Sequence, residues 1–338
     1  MWSVPPAPTQ HHWRYGPLYN RQLATENRKS YLGYLYIAAA TFCWGVAASL
    51  GRAAFTGRLP GIQALRPIDP LILSQSRTTF SFLVLFPVLA LSGRRLKLPR
   101  ADLGRILLLG VLGVAASNYF YYLAIQRTNV ATAIILQYTA PVWVLLYMAL
   151  RGLQKATPHR IAAVTLAVVG IALVIGVFRS GGLRLDSIGV IAALLAAFSF
   201  AFYNIGGHRI LTRYDHWIVL LYTTLSASLF WIVVNPPWKI AAQHYSGAQW
   251  LFLLAFSLLS VLAPFSFYFA GLRYLEPTRA VVVSCLEPVF SIVIAAFALG
   301  EILRPMQCVG VVLVLAAVVV VQRSGPSGQQ AIALEPVE

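Results

Sequence analysis

The fold of this chain is decided by residues Ser117–Lys155, which read SNYFYYLAIQRTNVATAIILQYTAPVWVLLYMALRGLQK. In this segment an aromatic helix end is followed by a short turn and then by an apolar helix with Pro141 near its middle. Residues Pro264–Glu301, PFSFYFAGLRYLEPTRAVVVSCLEPVFSIVIAAFALGE, repeat the same order of features around Pro288. Proline removes a backbone donor and opens a helix. The recurrence therefore predicts two equivalent kinked helices in an internal repeat.

The composition excludes a soluble protein. Of the 338 residues, 59% are hydrophobic and 11% are charged, and the mean hydropathy is +0.72. A soluble domain carries about 25% charged residues, so most of this surface must face lipid. The net charge of +16 does not indicate a nucleic-acid partner, because the Lys and Arg residues lie in short clusters between apolar runs, as in membrane proteins.

Ten apolar runs follow one another along the chain, and each is long enough to cross a bilayer as a helix. They occupy residues 31–51, 70–92, 103–125, 129–150, 158–178, 187–208, 217–235, 249–272, 278–299 and 305–322. The runs are continuously apolar, which favours helices over a β-barrel. Five runs per half is an odd number, so the second half must enter the membrane inverted. The predicted fold class is an all-α integral membrane protein with ten transmembrane helices in two inverted five-helix repeats.

The distribution of Lys and Arg predicts the orientation and the domain limits. Most of these residues lie in the tails and in alternate loops on one side of the predicted membrane, and that side is expected to be cytoplasmic. Both termini are therefore predicted to be cytoplasmic. The chain then divides into an N-terminal tail (1–30), a first repeat (31–178), a second repeat (179–323) and a C-terminal tail (324–338).

Two further segments carry a family resemblance. They are FCWGVAASLGR (Phe42–Arg52) and ALGEILRPMQCVGVVLVLAAVVV (Ala298–Val320). Together with the two five-span repeats and their proline helices, they resemble the EamA-type drug/metabolite transporter superfamily over residues 31–323. Within it, the chain is most similar to YddG-type aromatic amino acid and metabolite exporters. The resemblance implies a multi-pass protein of the bacterial inner membrane that exports small organic solutes by alternating access.

Charged residues within the spans are candidates for function, because burying a charge in a bilayer costs free energy. Glu287 is the acid deepest within a run. It can carry a proton, meet a substrate ammonium, or serve structure by pairing with a base such as Arg77. Arg77 and Glu301 are candidates for charge pairing or gating, although Arg77 can also snorkel to the interface. Proton-coupled and facilitative transport are both compatible with a single deep acid.

The amides and aromatic rings of the runs predict a central cavity. With Glu287, the predicted cavity residues are Trp44, Asn118, Tyr119, Tyr122, Gln137, Tyr138, Phe200, Tyr203, Asn204, Phe267 and Tyr268, and the predicted kinks are Pro141 and Pro288. Amides can also join neighbouring helices, and aromatic rings can also belong to interfacial belts. An aromatic cavity with few polar groups suits a planar or amphipathic organic solute. Aromatic or apolar amino acids are the expected substrates.

Other function classes have weaker support. The sequence has no HExxH motif and no GxxxxGK[ST] loop, so neither a metal cofactor nor an ATPase is predicted. The cysteines Cys43, Cys285 and Cys308 lie in apolar runs, where packing is their expected role. A carrier of the same fold for a cationic drug or a nucleotide sugar stays an alternative. An enzyme acting on lipid-like substrates is a weaker one, because no cluster of catalytic side chains lies beside a span.

Overall fold

A computed structural model describes residues 17–55, 68–93, 96–128, 130–176, 186–299 and 304–323. The first half comprises α1 (Pro17–Phe55), α2 (Pro70–Leu91), α3 (Arg100–Leu108), a π-helix (Leu109–Ala115), α4 (Ala116–Arg127), α5 (Val130–Gln137), α6 (Ala140–Leu150) and α7 (Pro158–Ile175). The second half comprises α8 (Ser187–Leu211), α9 (His216–Val234), α10 (Pro237–Ala241), α11 (Gly247–Ser257), a second π-helix (Leu258–Leu262), α12 (Ala263–Leu272), α13 (Pro277–Ser284), α14 (Glu287–Leu299) and α15 (Pro305–Gln322).

Within the described residues, ten spans are long and apolar enough to cross a membrane. In chain order they are formed by α1, α2, α3 to α4, α5 to α6, α7, α8, α9, α11 to α12, α13 to α14, and α15. The described part of the chain contains no strands. The prediction of an all-α protein with ten membrane-spanning helices is therefore confirmed.

The first helix begins earlier than the first apolar run. Helix α1 starts at Pro17, whereas the sequence predicts a polar tail up to residue 30. Proline is favoured in the first turn of a helix, and neither Gly nor Pro interrupts the next fifteen or so residues of the sequence. The helix can therefore run through a polar stretch before it reaches the first span at Ser30.

The fourth and ninth spans are both broken at equivalent positions. Helix α5 ends at Gln137 and α6 begins at Ala140, while α13 ends at Ser284 and α14 begins at Glu287. In each case the proline is the second residue of the following half-helix, where its missing N–H removes no intrahelical bond. Each proline thus starts a half-helix rather than bending a continuous one.

The third and eighth spans each contain a π-helix, which the sequence pattern does not predict. These segments, Leu109–Ala115 and Leu258–Leu262, end at positions that the internal repeat makes equivalent. A π-helical turn shifts the backbone hydrogen bonds by one residue and is common at functional sites. Apolar residues dominate both segments, so the change of register leaves no signal in the hydrophobic pattern.

The packing of the helices has the same repeat symmetry. The first span packs against the eighth and ninth, and the sixth span packs correspondingly against the third and fourth. The second span packs against the seventh, and the fifth packs against the tenth. Exchanging the halves maps this set of contacts onto itself. The two repeats therefore interlock, and helices from both repeats pack together at the centre of the bundle.

Close packing of the third and seventh spans gives a test of the fold. A Cβ atom on Gly110 would lie 1.9 Å from Ser226 Oγ and 2.4 Å from the Thr223 carbonyl oxygen. We expect Gly110→Ala to lower the free energy of unfolding by about 1–3 kcal/mol, measured by thermal unfolding in detergent. Gly104→Ala is the matched control, because nothing lies within 4 Å of its added Cβ. An equal melting temperature for the two variants would contradict this packing.

Candidate functional site

A cavity of about 240 Å³ lies between the two halves, where the broken fourth and ninth spans meet the third and eighth. Seven of the spans contribute to its wall. The residues that line it are Trp44, Ala48, Arg77, Gly113, Val114, Ser117, Asn118, Tyr121, Tyr122, Ile134, Gln137, Tyr138, Ala140, Pro141, Phe200, Tyr203, Phe265, Val281, Ser284, Glu287, Pro288 and Ser291. The cavity thus contains eleven of the sixteen residues that the sequence singles out.

Two charges of opposite sign face this cavity. Of its lining residues, Arg77 and Glu287 are the charged ones. Tyr138 and Arg77 both interact electrostatically with the Glu287 carboxyl group. Glu287 also stands in the first turn of α14, where the helix dipole favours negative charge.

Arg77 is held in place by the second π-helix. Its Nε donates to Ser260 Oγ at 2.9 Å, and one Nη2 hydrogen is donated to the Ser260 carbonyl oxygen at 3.1 Å. The guanidinium carbon lies 5.8 Å from the centre of the Phe256 ring, in the range of a cation–π contact. Because this carbonyl belongs to the π-helix, the irregular backbone fixes the cation at the cavity wall.

Aromatic rings from the first, sixth and eighth spans form part of the cavity wall. Trp44 and Phe265 meet edge to face with their ring centres 5.3 Å apart. Tyr203 contacts Phe265 in the same way at 5.6 Å, and Phe200 stacks on Tyr203 at 6.1 Å. Such packing fixes each ring with few rotameric alternatives. The result is a rigid apolar surface beside the two charges.

Two of the three predicted amide side chains line the cavity, and the third is buried between helices. Asn118 and Gln137 line the cavity, donating to the Val114 carbonyl oxygen at 2.8 Å and to Ser117 Oγ at 3.5 Å. Asn204 is fully buried, donates to the Phe200 carbonyl oxygen at 2.8 Å, and accepts a hydrogen bond from the Tyr268 hydroxyl. Asn204 therefore joins the sixth and eighth spans.

Three more of the predicted aromatic residues lie outside the lining. Tyr119 packs against Phe230 and Trp231 of the seventh span. Tyr268 is fully buried behind Trp44. Phe267 is 37% exposed and stacks on Tyr36, a position that faces outward from the bundle. Glu301 lies outside the residues that the structure describes.

Small hydroxyl residues complete the lining but carry no sequence signal of their own. Ser117, Ser284 and Ser291 all face the cavity. Serine is common in membrane helices as a packing residue, so its presence in a run predicts nothing specific. The internal repeat offers one clue, because Ser284 ends its half-helix where Gln137 ends the equivalent one.

A buried ion cluster joins the two halves at one end of the bundle. Arg160 at the start of α7 is 1% exposed and donates to Glu276 Oε2 at 2.7 Å. Arg279 lies 3.8 Å from the same carboxylate, and Gln154 accepts a hydrogen bond from Thr278 at 2.7 Å. These residues belong to the side that the Lys and Arg distribution predicts to be cytoplasmic. The sequence alone treats Arg160 as one more loop charge.

The profile of the EamA-like transporter family matches residues 31–176 and again residues 187–323. An uncharacterized inner membrane transporter, YicL, of Salmonella typhimurium is 24% identical over 86% of this chain and 94% of its own length. The threonine/homoserine exporter RhtA of Escherichia coli K12 is 27% identical over 66% of this chain and 72% of its own length. Among solved structures that share the fold, a crystal structure aligns with a TM-score of 0.70 and 19% identity, covering 90% of this chain and 99% of that chain.

Proposed function

Because this chain belongs to the EamA-like transporter family, we propose that it exports aromatic or apolar amino acids across the bacterial inner membrane by alternating access. The observation that carries this proposal is the cavity between the halves, in which aromatic rings surround one acid and one base. A solute with an apolar side chain and charged backbone groups is complementary to such a wall. The similarity to an exporter of threonine and homoserine supports the amino acid class.

The broken helices supply a mechanism for alternating access. The fourth and ninth spans are broken beside the cavity. Discontinuous helices of this kind form the substrate sites of secondary transporters. The interlocked halves can rock about this level, so that the substrate meets one side of the membrane at a time. We place the termini and the ion cluster on the cytoplasmic side, following the Lys and Arg distribution.

A second candidate function is the export of amphipathic organic cations. It is favoured by Glu287, which lies among aromatic rings as an ammonium-binding acid would. Export of a nucleotide sugar has less support, since a diphosphate needs several cations and Arg77 is the one in the described lining.

The proposal is tested by uptake into proteoliposomes. We expect purified protein to take up radiolabelled phenylalanine, tryptophan or leucine with saturable kinetics, while protein-free liposomes show slow, non-saturable entry. Each substrate is measured with and without an imposed pH gradient, and a gradient-dependent rate assigns proton coupling. Saturable uptake of a labelled organic cation without uptake of any amino acid would favour the second candidate and contradict the first.

A further inference from the structure

We propose that Arg77 is the carboxylate-binding residue of the cavity, and that Arg77 and Glu287 together make the site selective for zwitterions over amines or acids of the same shape. This inference rests on the proposed function, since it concerns how that site would recognise an amino acid. It assigns Arg77 a role in specificity, whereas the sequence predicts charge pairing, gating or snorkelling for this residue.

The guanidinium has the geometry that this role requires. Its Nε and Nη2 groups are both bonded to Ser260, and these bonds do not involve Nη1. The Phe256 ring beside it limits rotation of the guanidinium plane. Arg77 is thus fixed by one edge while it lines the cavity. An arginine held in this way can bind a carboxylate without losing further side-chain freedom.

The opposite charge of the substrate has a separate partner. Glu287 lines the same cavity, together with Tyr138. An α-amino acid carries its ammonium and its carboxylate on one carbon atom. Both site charges can therefore be neutralised by one solute, whose side chain then faces the aromatic wall formed by Trp44, Phe200 and Tyr203.

Analogues that lack one charge lose more than one contact. An amine such as phenethylamine cannot neutralise Arg77, and an acid such as 3-phenylpropionate cannot neutralise Glu287. Beside an aromatic wall, a site charge that meets no opposite charge on the ligand gains no interaction to offset its desolvation. The cavity should therefore discriminate against both analogues, although each retains the aromatic ring.

The test is a set of ligand titrations followed by intrinsic tryptophan fluorescence, using Trp44 at the cavity wall as an internal reporter. The ligands are phenylalanine, phenethylamine and 3-phenylpropionate, each titrated into the wild type, Arg77→Gln and Glu287→Gln. The wild type is expected to bind phenylalanine at least about tenfold more tightly than either analogue. Arg77→Gln should lower the affinity for phenylalanine by about tenfold or more and leave the affinity for phenethylamine unchanged. Glu287→Gln should lower the affinity for phenylalanine by the same factor and leave the affinity for 3-phenylpropionate unchanged.

Two further variants separate specificity from damage to the fold. Arg77→Lys keeps the charge but lacks the planar fork that can donate to Ser260 along one edge and to a carboxylate along another. This variant should therefore bind phenylalanine more weakly than the wild type and more tightly than Arg77→Gln. Ser260→Ala removes the Oγ partner of Arg77. It should lower the affinity for phenylalanine but not the affinity for phenethylamine. If Arg77→Gln lowers the affinity for all three ligands by the same factor, Arg77 is not the carboxylate-binding residue, and amino acid export is left untouched by that result. If no amino acid binds or is taken up by the wild type, the proposed function and this inference both fail.

Discussion

Replacing Glu276 by glutamine is expected to lower the free energy of unfolding by about 3–5 kcal/mol, the usual loss when one partner of a buried ion pair is removed. Arg160 is 1% exposed and loses its charge partner in this variant, while Arg279 loses the same carboxylate. Two positive charges are then left close together at the junction of the two halves. Thermal unfolding of the purified protein in detergent, followed by circular dichroism, measures the change.

Two controls separate this effect from a general loss of charge. Arg105→Gln breaks the Arg105–Asp102 pair, in which the arginine side chain is 65% exposed, and a surface pair contributes about 0–1 kcal/mol. Combining Glu276→Met with Arg160→Met removes both buried partners and should recover part of the loss. A melting temperature for Glu276→Gln that equals that of Arg105→Gln would show that the cluster does not hold the halves together.

The architecture of the chain is largely predictable from its sequence, because the bilayer forces each span to be long and apolar. The ten spans follow from this constraint, and the interruptions of the helices beside Pro141 and Pro288 follow from the chemistry of proline. The π-helices do not, since a shifted hydrogen-bond register keeps the same apolar composition. They matter for the site, however, because the carbonyl of Ser260 in the second π-helix binds Arg77.

The candidate site is less predictable, because the direction in which a side chain points depends on the packing of helices that are distant in sequence. Tyr119 and Tyr122 lie on the same helix, yet Tyr119 packs against the seventh span and Tyr122 lines the cavity. Asn118 and Asn204 are both amides within spans, yet Asn118 lines the cavity while Asn204 joins two helices. Hydropathy alone does not separate these environments.

The two halves share a backbone plan but differ in charge. Ala140 begins α6 where Glu287 begins α14. Arg160 forms a buried ion pair near the start of the fifth span, whereas its equivalent in the tenth span, Gln307, donates to the Val174 carbonyl oxygen at 3.1 Å. The repeat therefore provides the broken helices in duplicate, and single residue differences place the carboxylate of the cavity in one half and the buried ion pair at one end of the bundle.

The second large effect is expected when the cavity is filled. Ala48 lines the cavity on the first span and its side chain is exposed, so a tryptophan at this position can extend into the open volume without displacing buried neighbours. We expect Ala48→Trp to fold like the wild type and to lose saturable phenylalanine transport, because the added ring occupies the space that the substrate needs. Leu91→Trp is the matched control, since Leu91 is 88% exposed at the end of α2 and lies outside the cavity lining.

Counterflow tests most directly whether this cavity is the route of the substrate. Proteoliposomes are loaded with unlabelled phenylalanine, diluted into labelled phenylalanine, and compared for the wild type, Ala48→Trp and Leu91→Trp at equal amounts of folded protein. We expect transient accumulation of label with the wild type and Leu91→Trp, and entry at the rate of protein-free liposomes with Ala48→Trp. Counterflow by Ala48→Trp at the wild-type rate would contradict a substrate route through this cavity.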